Sequence, residues 1–327
     1  HIAQALDDCS LCRNGADCTP LPQRCEAILL PGSSGVVGSS LAPLLQAQGY
    51  RVLRAVRRAP QSPDEVRWQP LVPAGEIPEE ELRAFENLHA VIHLAGENIA
   101  GGRWNAARKK RIRESRETAT ANLSDLLLKL ESPPKHFISA SAIGGYDQKL
   151  PHPQTEETPF IGGFLGEVCS GWENASQPLE EAGIRRALLR IGLVLTPRGG
   201  VLQKLLPIFK AFLGGPISSG RQWMSWIDLD DLLQIILRVL RDDQLSGPIN
   251  CTAPGAVRNE DFTTILASKL GRPVAPRVPA LALNTLYGEM GQALVVDGAR
   301  VVPQKLEACG YRFRHPDLPS CLRNQLT

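Results

Sequence analysis

Gly32, Gly35 and Gly38 recur every third residue in Pro31-Gly32-Ser33-Ser34-Gly35-Val36-Val37-Gly38, directly after the apolar run Ala27-Ile28-Leu29-Leu30. A strand that breaks into such a turn and then a helix aims unpaired backbone N–H groups and the positive end of the helix dipole at one point, where an anionic diphosphate can sit. Glycine lets the anion come close, although a tight turn and nothing more is the alternative. A second run, Arg51–Val56, ends in Arg57 and Arg58, nineteen residues on from Gly38. A site for NAD usually places a carboxylate there for the ribose 2′-hydroxyl, whereas arginine suits a 2′-phosphate. The expected cofactor is therefore NADP(H) rather than NAD(H), against the plainer reading of two arginines in a solvated turn.

The elements that must position this turn follow from periodicity. Apolar strands at 27–31, 51–56, 89–94, 136–140 and 186–195 alternate with helical patterns at 36–48, 105–130 and 165–182. That alternation predicts an α/β fold, a Rossmann-like doubly wound parallel sheet. The connection 59–88 is rich in proline and acids, with Glu79-Glu80-Glu81-Leu82 as the remnant of a crossover helix. Beyond 196 the pattern loosens into pieces punctuated by Gly and Pro, with helices at 228–241 and 258–270, the latter N-capped by Asn259. The expected division is a cysteine-bearing extension at 1–26, an NADP(H)-binding domain at 27–195, and a C-terminal substrate and capping region at 196–327 packed on the same domain.

With 327 residues, 43% of them hydrophobic, a large core is possible, and 36 basic against 34 acidic residues create no field that attracts nucleic acid or a membrane surface. No apolar stretch approaches the length of a membrane span. Of eight cysteines, Cys9, Cys12, Cys18 and Cys25 form the one group with a pattern; it could hold zinc or pair as disulfides, but the usual second C-x2-C is missing. Incidental thiols in an extension are the alternative. The chain opens on His1, which reads as a fragment or as a mature chain that has lost a leader. A lost leader would point to a mitochondrion or plastid, the cytoplasm being the alternative.

Longer motifs recur in one order: Leu94-Ala95-Gly96-Glu97-Asn98-Ile99-Ala100, Arg103-Trp104, Glu114-Ser115-Arg116, Ser139-Ala140-Ser141-Ala142-Ile143-Gly144, Arg190-Ile191-Gly192-Leu193-Val194-Leu195, the run Leu213–Gln222, Trp226-Ile227-Asp228, Val257–Phe262 and Arg300–Leu306. Across residues 27 to 323 the chain resembles the atypical extended short-chain dehydrogenases/reductases, in the epimerase family protein branch of the NAD-dependent epimerase/dehydratase superfamily. The resemblance implies a Rossmann fold holding NADP(H) at the carboxyl ends of the strands. It implies that Gly32–Gly38, Val56, Arg57, Leu94, Ala95, Gly96, Glu97, Arg116 and Val194 approach the cofactor, and Arg58 stands beside them. Ser33 and Ser34 replace the family's glycine and threonine in the turn, which restricts the backbone next to the diphosphate.

Hydride-transferring members of the wider superfamily use a tyrosine made acidic by a lysine four residues later. Tyr50, Tyr146, Tyr287 and Tyr311 are followed at that spacing by Arg54, Leu150, Gly291 and His315, and the family pattern places Leu165 and Cys169 at the two positions. The usual acid/base pair is absent. Ser139, Ser141 and Tyr146 stand as weak catalytic candidates, Glu97, Glu167 and Cys169 as alternative proton carriers, and Trp104, Trp223, Met224 and Trp226 as a pocket mouth. Each also has a plain packing role open to it. The resulting expectation is an NADP(H)-binding oxidoreductase or epimerase acting on a small polar substrate. The alternative is an accessory subunit of a larger, organellar assembly that keeps a bound NADPH, and the resemblance also implies a division factor.

Overall fold

Ala27–Pro31 (β1) is apolar throughout and buried at four of its five positions, as a central strand of a sheet covered on both faces must be. The structure is a computed structural model and describes residues 26–150, 152–279, 285, 288–293 and 297–326. Cys9, Cys12, Cys18, Cys25 and Tyr287 lie outside the described residues.

From β1 the chain runs through α1 (Val36–Ala47), β2 (Arg51–Val56), β3 (Glu65–Arg67), α2 (Glu79–Leu82) and β4 (Leu88–His93). It continues through α3 (Ala106–Glu114), α4 (Glu117–Leu128), β5 (His136–Ala142), α5 (Phe164–Asn174), α6 (Gln177–Glu181) and β6 (Arg185–Ile191). Next come β7 (Leu193–Thr196), α7 (Gly200–Lys210), β8 (Trp223–Met224), β9 (Trp226–Asp228), α8 (Leu229–Arg241), β10 (Gly247–Cys251), β11 (Val257–Arg258) and α9 (Asn259–Lys269). Seven strands form one sheet in the order β10-β6-β5-β4-β1-β2-β3, all pairs parallel. The chain goes outward from β1 to β3, then returns to β4 on the other side of β1. The topological switch point, where such sheets bind ligands, therefore falls between the carboxyl ends of β1 and β4. One core layer joins α1, α7, α8 and α9 to the sheet; a second packs α4 and Leu179 of α6 on the opposite face.

The doubly wound sheet stands as expected, and several boundaries move. The helix expected at 105–130 is two, broken at Ser115-Arg116. Ser115 Oγ and the Arg116 guanidinium both bond back to the Ile112 carbonyl, and such local bonds compete with the helical ladder. The helix expected at 165–182 breaks at Ser176, whose Oγ bonds Glu173 O, and restarts with Pro178 in the first turn of α6. The strand expected at 186–195 splits at Gly192, where a Cβ would lie 2.7 Å from Ser225 O, and β7 leaves the main sheet to pair with β9. β3 lies within the proline- and acid-rich connection 59–88 and, at three residues, is too short to show a strand period. Asn259 does not cap α9. Its Oδ1 accepts from Ile217 N at 2.8 Å instead, fixing a loop from far along the chain. Asp228 does cap α8, accepting from Asp230 N at 2.7 Å.

No helix among the described residues is long and apolar enough to cross a membrane.

Candidate functional site

The glycine turn closes on itself and on the loop after β4. Gly32 has φ +88°, and a Cβ there would lie 2.6 Å from Ala95 N, so only glycine lets β1 and β4 end this close together. A Cβ on Gly38 would collide with Gly32 O and stand 2.8 Å from Ser33 Cα. Gly35 is more tolerant, with its nearest contact at 3.3 Å. Helix α1 starts at Val36 with no side-chain cap and no acidic residue in its first turn. Its leading N–H groups thus face the switch point with no acidic side chain in the helix's own first turn to meet them.

At the end of β2 the two arginines differ. Arg58 is bound bidentately by Glu65, with Nη1–Oε2 2.7 Å and Nη2–Oε1 2.8 Å, and Arg54 approaches the same carboxylate at 3.3 Å. The hydrogen bond from Arg58, joined by one from Gln61 N, draws the Glu65 carboxyl down to about 2. Arg57 is exposed and has no hydrogen bond or ion pair among the described residues. It is the free cation of the pair.

Arg116 sits behind the strand end formed by Ala95, Gly96 and Glu97. Its Nη2 donates to Glu97 O at 3.1 Å and its Nη1 to Ile112 O at 3.2 Å, while the guanidinium lies 5.0 Å from the Trp172 ring centre. A Cβ on Gly96 would stand 3.4 Å from the guanidinium carbon. Burial lowers its pKa without removing its charge. No carboxylate pairs with it among the described residues. Val56, the last residue of β2, and Val194, the second residue of β7, are half-buried.

Beyond this crevice lies a buried polar network that sequence reading caught only in part. Arg190 on β6 clamps Glu173 on α5 with Nε–Oε1 and Nη2–Oε2 both 2.9 Å. Ser141 Oγ donates to the same Glu173 Oε1 at 2.7 Å. Arg190 Nη1 donates to the Tyr146 hydroxyl at 2.8 Å, which in turn reaches Asn250 Oδ1 on β10 at 2.8 Å and Thr155 O at 3.0 Å. Tyr146 is fully buried, and burial pushes its phenol up to about 12. Its geometry is that of an anchor between β6, β10 and the loop after β5. Ser141 is locked on Glu173, and Ser139 is buried with its Oγ on the Ala140 carbonyl. Cys169 is buried too, and burial raises its thiol to about 12. Glu97 pairs with Arg108 at 3.2 Å and Glu167 with Arg113 at 3.0 Å, so neither alternative proton carrier is free.

Glu173, Arg190 and Asn250 were missed as network members. One signal was present: Leu165, Cys169 and Glu173 recur every fourth residue and so share a face of α5. Of the four residues expected at a pocket mouth, Trp226 is fully buried, with Nε1 on Gly255 O at 2.9 Å, and Met224 is buried as well; both belong to the core. Trp104 and Trp223 are half-buried. Trp104 packs edge-on to Phe164, and Trp223 carries Arg258 on its ring at 3.7 Å. Asp228, Asp230 and His315 bring ligand atoms within 4.8 Å of one another, but Asp228 caps α8 and receives Gln325 Nε2.

Comparison with known proteins matches residues 28–251 to the NAD dependent epimerase/dehydratase family and residues 278–325 to a domain of unknown function. The epimerase family protein Mb2239 of Mycobacterium bovis is 37% identical over 295 residues, covering 90% of this chain and 96% of that protein. The epimerase family protein SDR39U1 homolog, chloroplastic, of Arabidopsis thaliana is 34% identical over 300 residues, covering 90% of this chain and 85% of that protein. Among solved structures, human epimerase family protein SDR39U1 (isoform 2) with NADPH superposes with a TM-score of 0.82 at 29% identity, covering 91% of this chain and 98% of that one.

Proposed function

The chain belongs to the NAD-dependent epimerase/dehydratase family, and from that premise we propose that it binds NADP(H) across the switch point of its sheet and exchanges hydride with a small polar substrate, as an oxidoreductase or epimerase. One observation carries the cofactor: an uncapped, acid-free helix start in a turn where Gly32 and Gly38 cannot take a Cβ, with Arg57 unpartnered at the end of the next strand. The residues fit the group. The diphosphate would be held by backbone N–H groups of Ser33, Ser34, Val36 and Val37, the Gly35 N–H being taken by Gly32 O, the 2′-phosphate by Arg57, and the adenosine ribose beside Ala95 and Gly96. Val56 and Val194 would supply apolar walls, and Arg116 braces the Glu97 backbone from behind. The human relative solved with NADPH supports the same choice.

Bound nicotinamide supplies the hydride donor or acceptor. The chain's own part is to orient it, because the helix that carries the proton-transfer pair elsewhere in the superfamily has Leu165 and Cys169 here. With Tyr146 and Cys169 both raised to about 12, neither releases a proton readily near neutral pH.

A second reading is a protein that holds NADPH without turning it over, as an accessory subunit of a larger assembly. What favours it is that Ser141, Glu173, Arg190 and Tyr146 spend their polar atoms on one another. An organellar address belongs to the same proposal, supported by the chloroplastic designation of the Arabidopsis relative.

The test is to denature the purified protein, identify released nucleotide by chromatography and mass, and titrate the emptied protein with NADPH and NADH. NADP(H) in the supernatant, or tighter binding of NADPH, is the expected result. No binding of either at millimolar concentration overturns the cofactor. Native size-exclusion from the source separates the two readings: a free species counts against the accessory role.

A further inference from the structure

We propose that Gly199–Lys204 forms a bridge over the dinucleotide crevice, latched by Lys204; this rests on the cofactor reading above. The banks of the crevice are the loops that follow β1 and β4, on either side of the switch point. On the first bank, Gly199 is buried so tightly against Val36, the first residue of α1, that a Cβ on Gly199 would collide with the valine side chain. On the second, Lys204 Nζ donates to Ala100 O at 3.0 Å. The bridging residues belong to neither bank. They follow β7 and are pinned to it by the pairs Thr196–Gly199 and Leu195–Gly200. A segment that touches both banks crosses the crevice between them.

The two ends of the bridge are of different strength. The Val36 end is packed: Gly199 is buried and Leu202, within the same turn, is fully buried in the core. The Ala100 end is one exposed hydrogen bond, and Lys204 has no other partner among the described residues. Ala100 itself is held in place, its N–H on Asn98 Oδ1 at 3.0 Å and the Asn98 carbonyl bonded by Gly101 N and Arg108, so what can let go at this end is the flexible lysine side chain. The bridge therefore opens on the Ala100 side. A dinucleotide with its diphosphate at Gly32–Gly38 has to pass under it both to enter and to leave. The Lys204–Ala100 bond is made between protein atoms alone, so it governs the rates of passage and leaves the affinity nearly untouched.

The experiment is stopped-flow fluorescence of NADPH binding to nucleotide-free protein, with dissociation read by chasing bound NADPH with excess NADP+. Lys204→Met keeps the aliphatic stem and removes the donor. Association and dissociation should both quicken about fivefold, the worth of one solvent-exposed hydrogen bond, with Kd nearly constant. Lys204→Arg should keep wild-type rates. Unchanged rates in Lys204→Met overturn the latch. So does faster dissociation with unchanged association, which would mean that Lys204 holds the nucleotide itself. A wild-type protein that binds neither NADPH nor NADH removes the cofactor reading, a result distinct from either of these.

Discussion

Glu65 takes both terminal guanidinium nitrogens of Arg58, at 2.7 and 2.8 Å, and so leaves Arg57 as the uncompensated charge at the end of β2. The discrimination between NADPH and NADH should rest on Arg57. Arg57→Glu is expected to weaken NADPH roughly ten- to a hundredfold, the loss of a charge-assisted contact, while NADH changes far less. Arg58→Ala should alter the ratio little. Paired fluorescence titrations with the two cofactors check this, and equal weakening of both would refute the assignment.

Gly38 and Gly35 make a graded pair. Gly38→Ala drives a methyl into Gly32 O and Ser33 Cα and should cost about 1–3 kcal/mol of stability together with most cofactor affinity. Gly35→Ala, with φ −74° and its nearest contact at 3.3 Å, should fold nearly as well as wild type. Thermal melts with and without NADPH distinguish them: the ligand-induced rise in Tm should survive in the second variant and vanish in the first.

The network around Arg190 should behave as structure. Glu173→Ala strands a buried guanidinium and is expected to cost about 3–5 kcal/mol in urea unfolding. Tyr146→Phe removes one hydroxyl from Arg190 and Asn250 and should cost about 1–3 kcal/mol, with NADPH affinity unchanged. Loss of NADPH binding in folded Tyr146→Phe would return the phenol to the site.

Acid should destabilise the fold through histidine. Burial lowers His93, fully buried on β4, to about 4, and burial with the charge of Arg185 beside it does the same to His136. A base with its folded pKa below its unfolded pKa gives stability that is complete above about 6.5 and is lost as pH falls towards 4, because the unfolded chain binds the proton first. For His93 the loss is of order 3 kcal/mol. Urea midpoints measured between pH 7.5 and 4.5 should fall, and His93→Gln should flatten part of the slope.

The sequence alone determined the alternation of strands and helices, the glycine turn at the end of β1 and the side of the sheet on which a dinucleotide would lie. These are local properties, carried by contiguous residues and by a period of 2 or 3.6. What only the tertiary structure decided is which polar groups are free. Arg58 is engaged and Arg57 is not because parallel pairing of β2 with β3 sets Arg54 opposite Glu65 and so brings that carboxylate to the strand end. Ser141 and Tyr146 are hydrogen-bonded to Glu173, Arg190 and Asn250, which arrive on α5, β6 and β10 from 32 to 104 residues away. Gly199 meets Val36, and Lys204 meets Ala100, only once β7 has left the sheet at Gly192. Such pairings are set by strand register and by the packing of remote segments, which composition and periodicity do not encode.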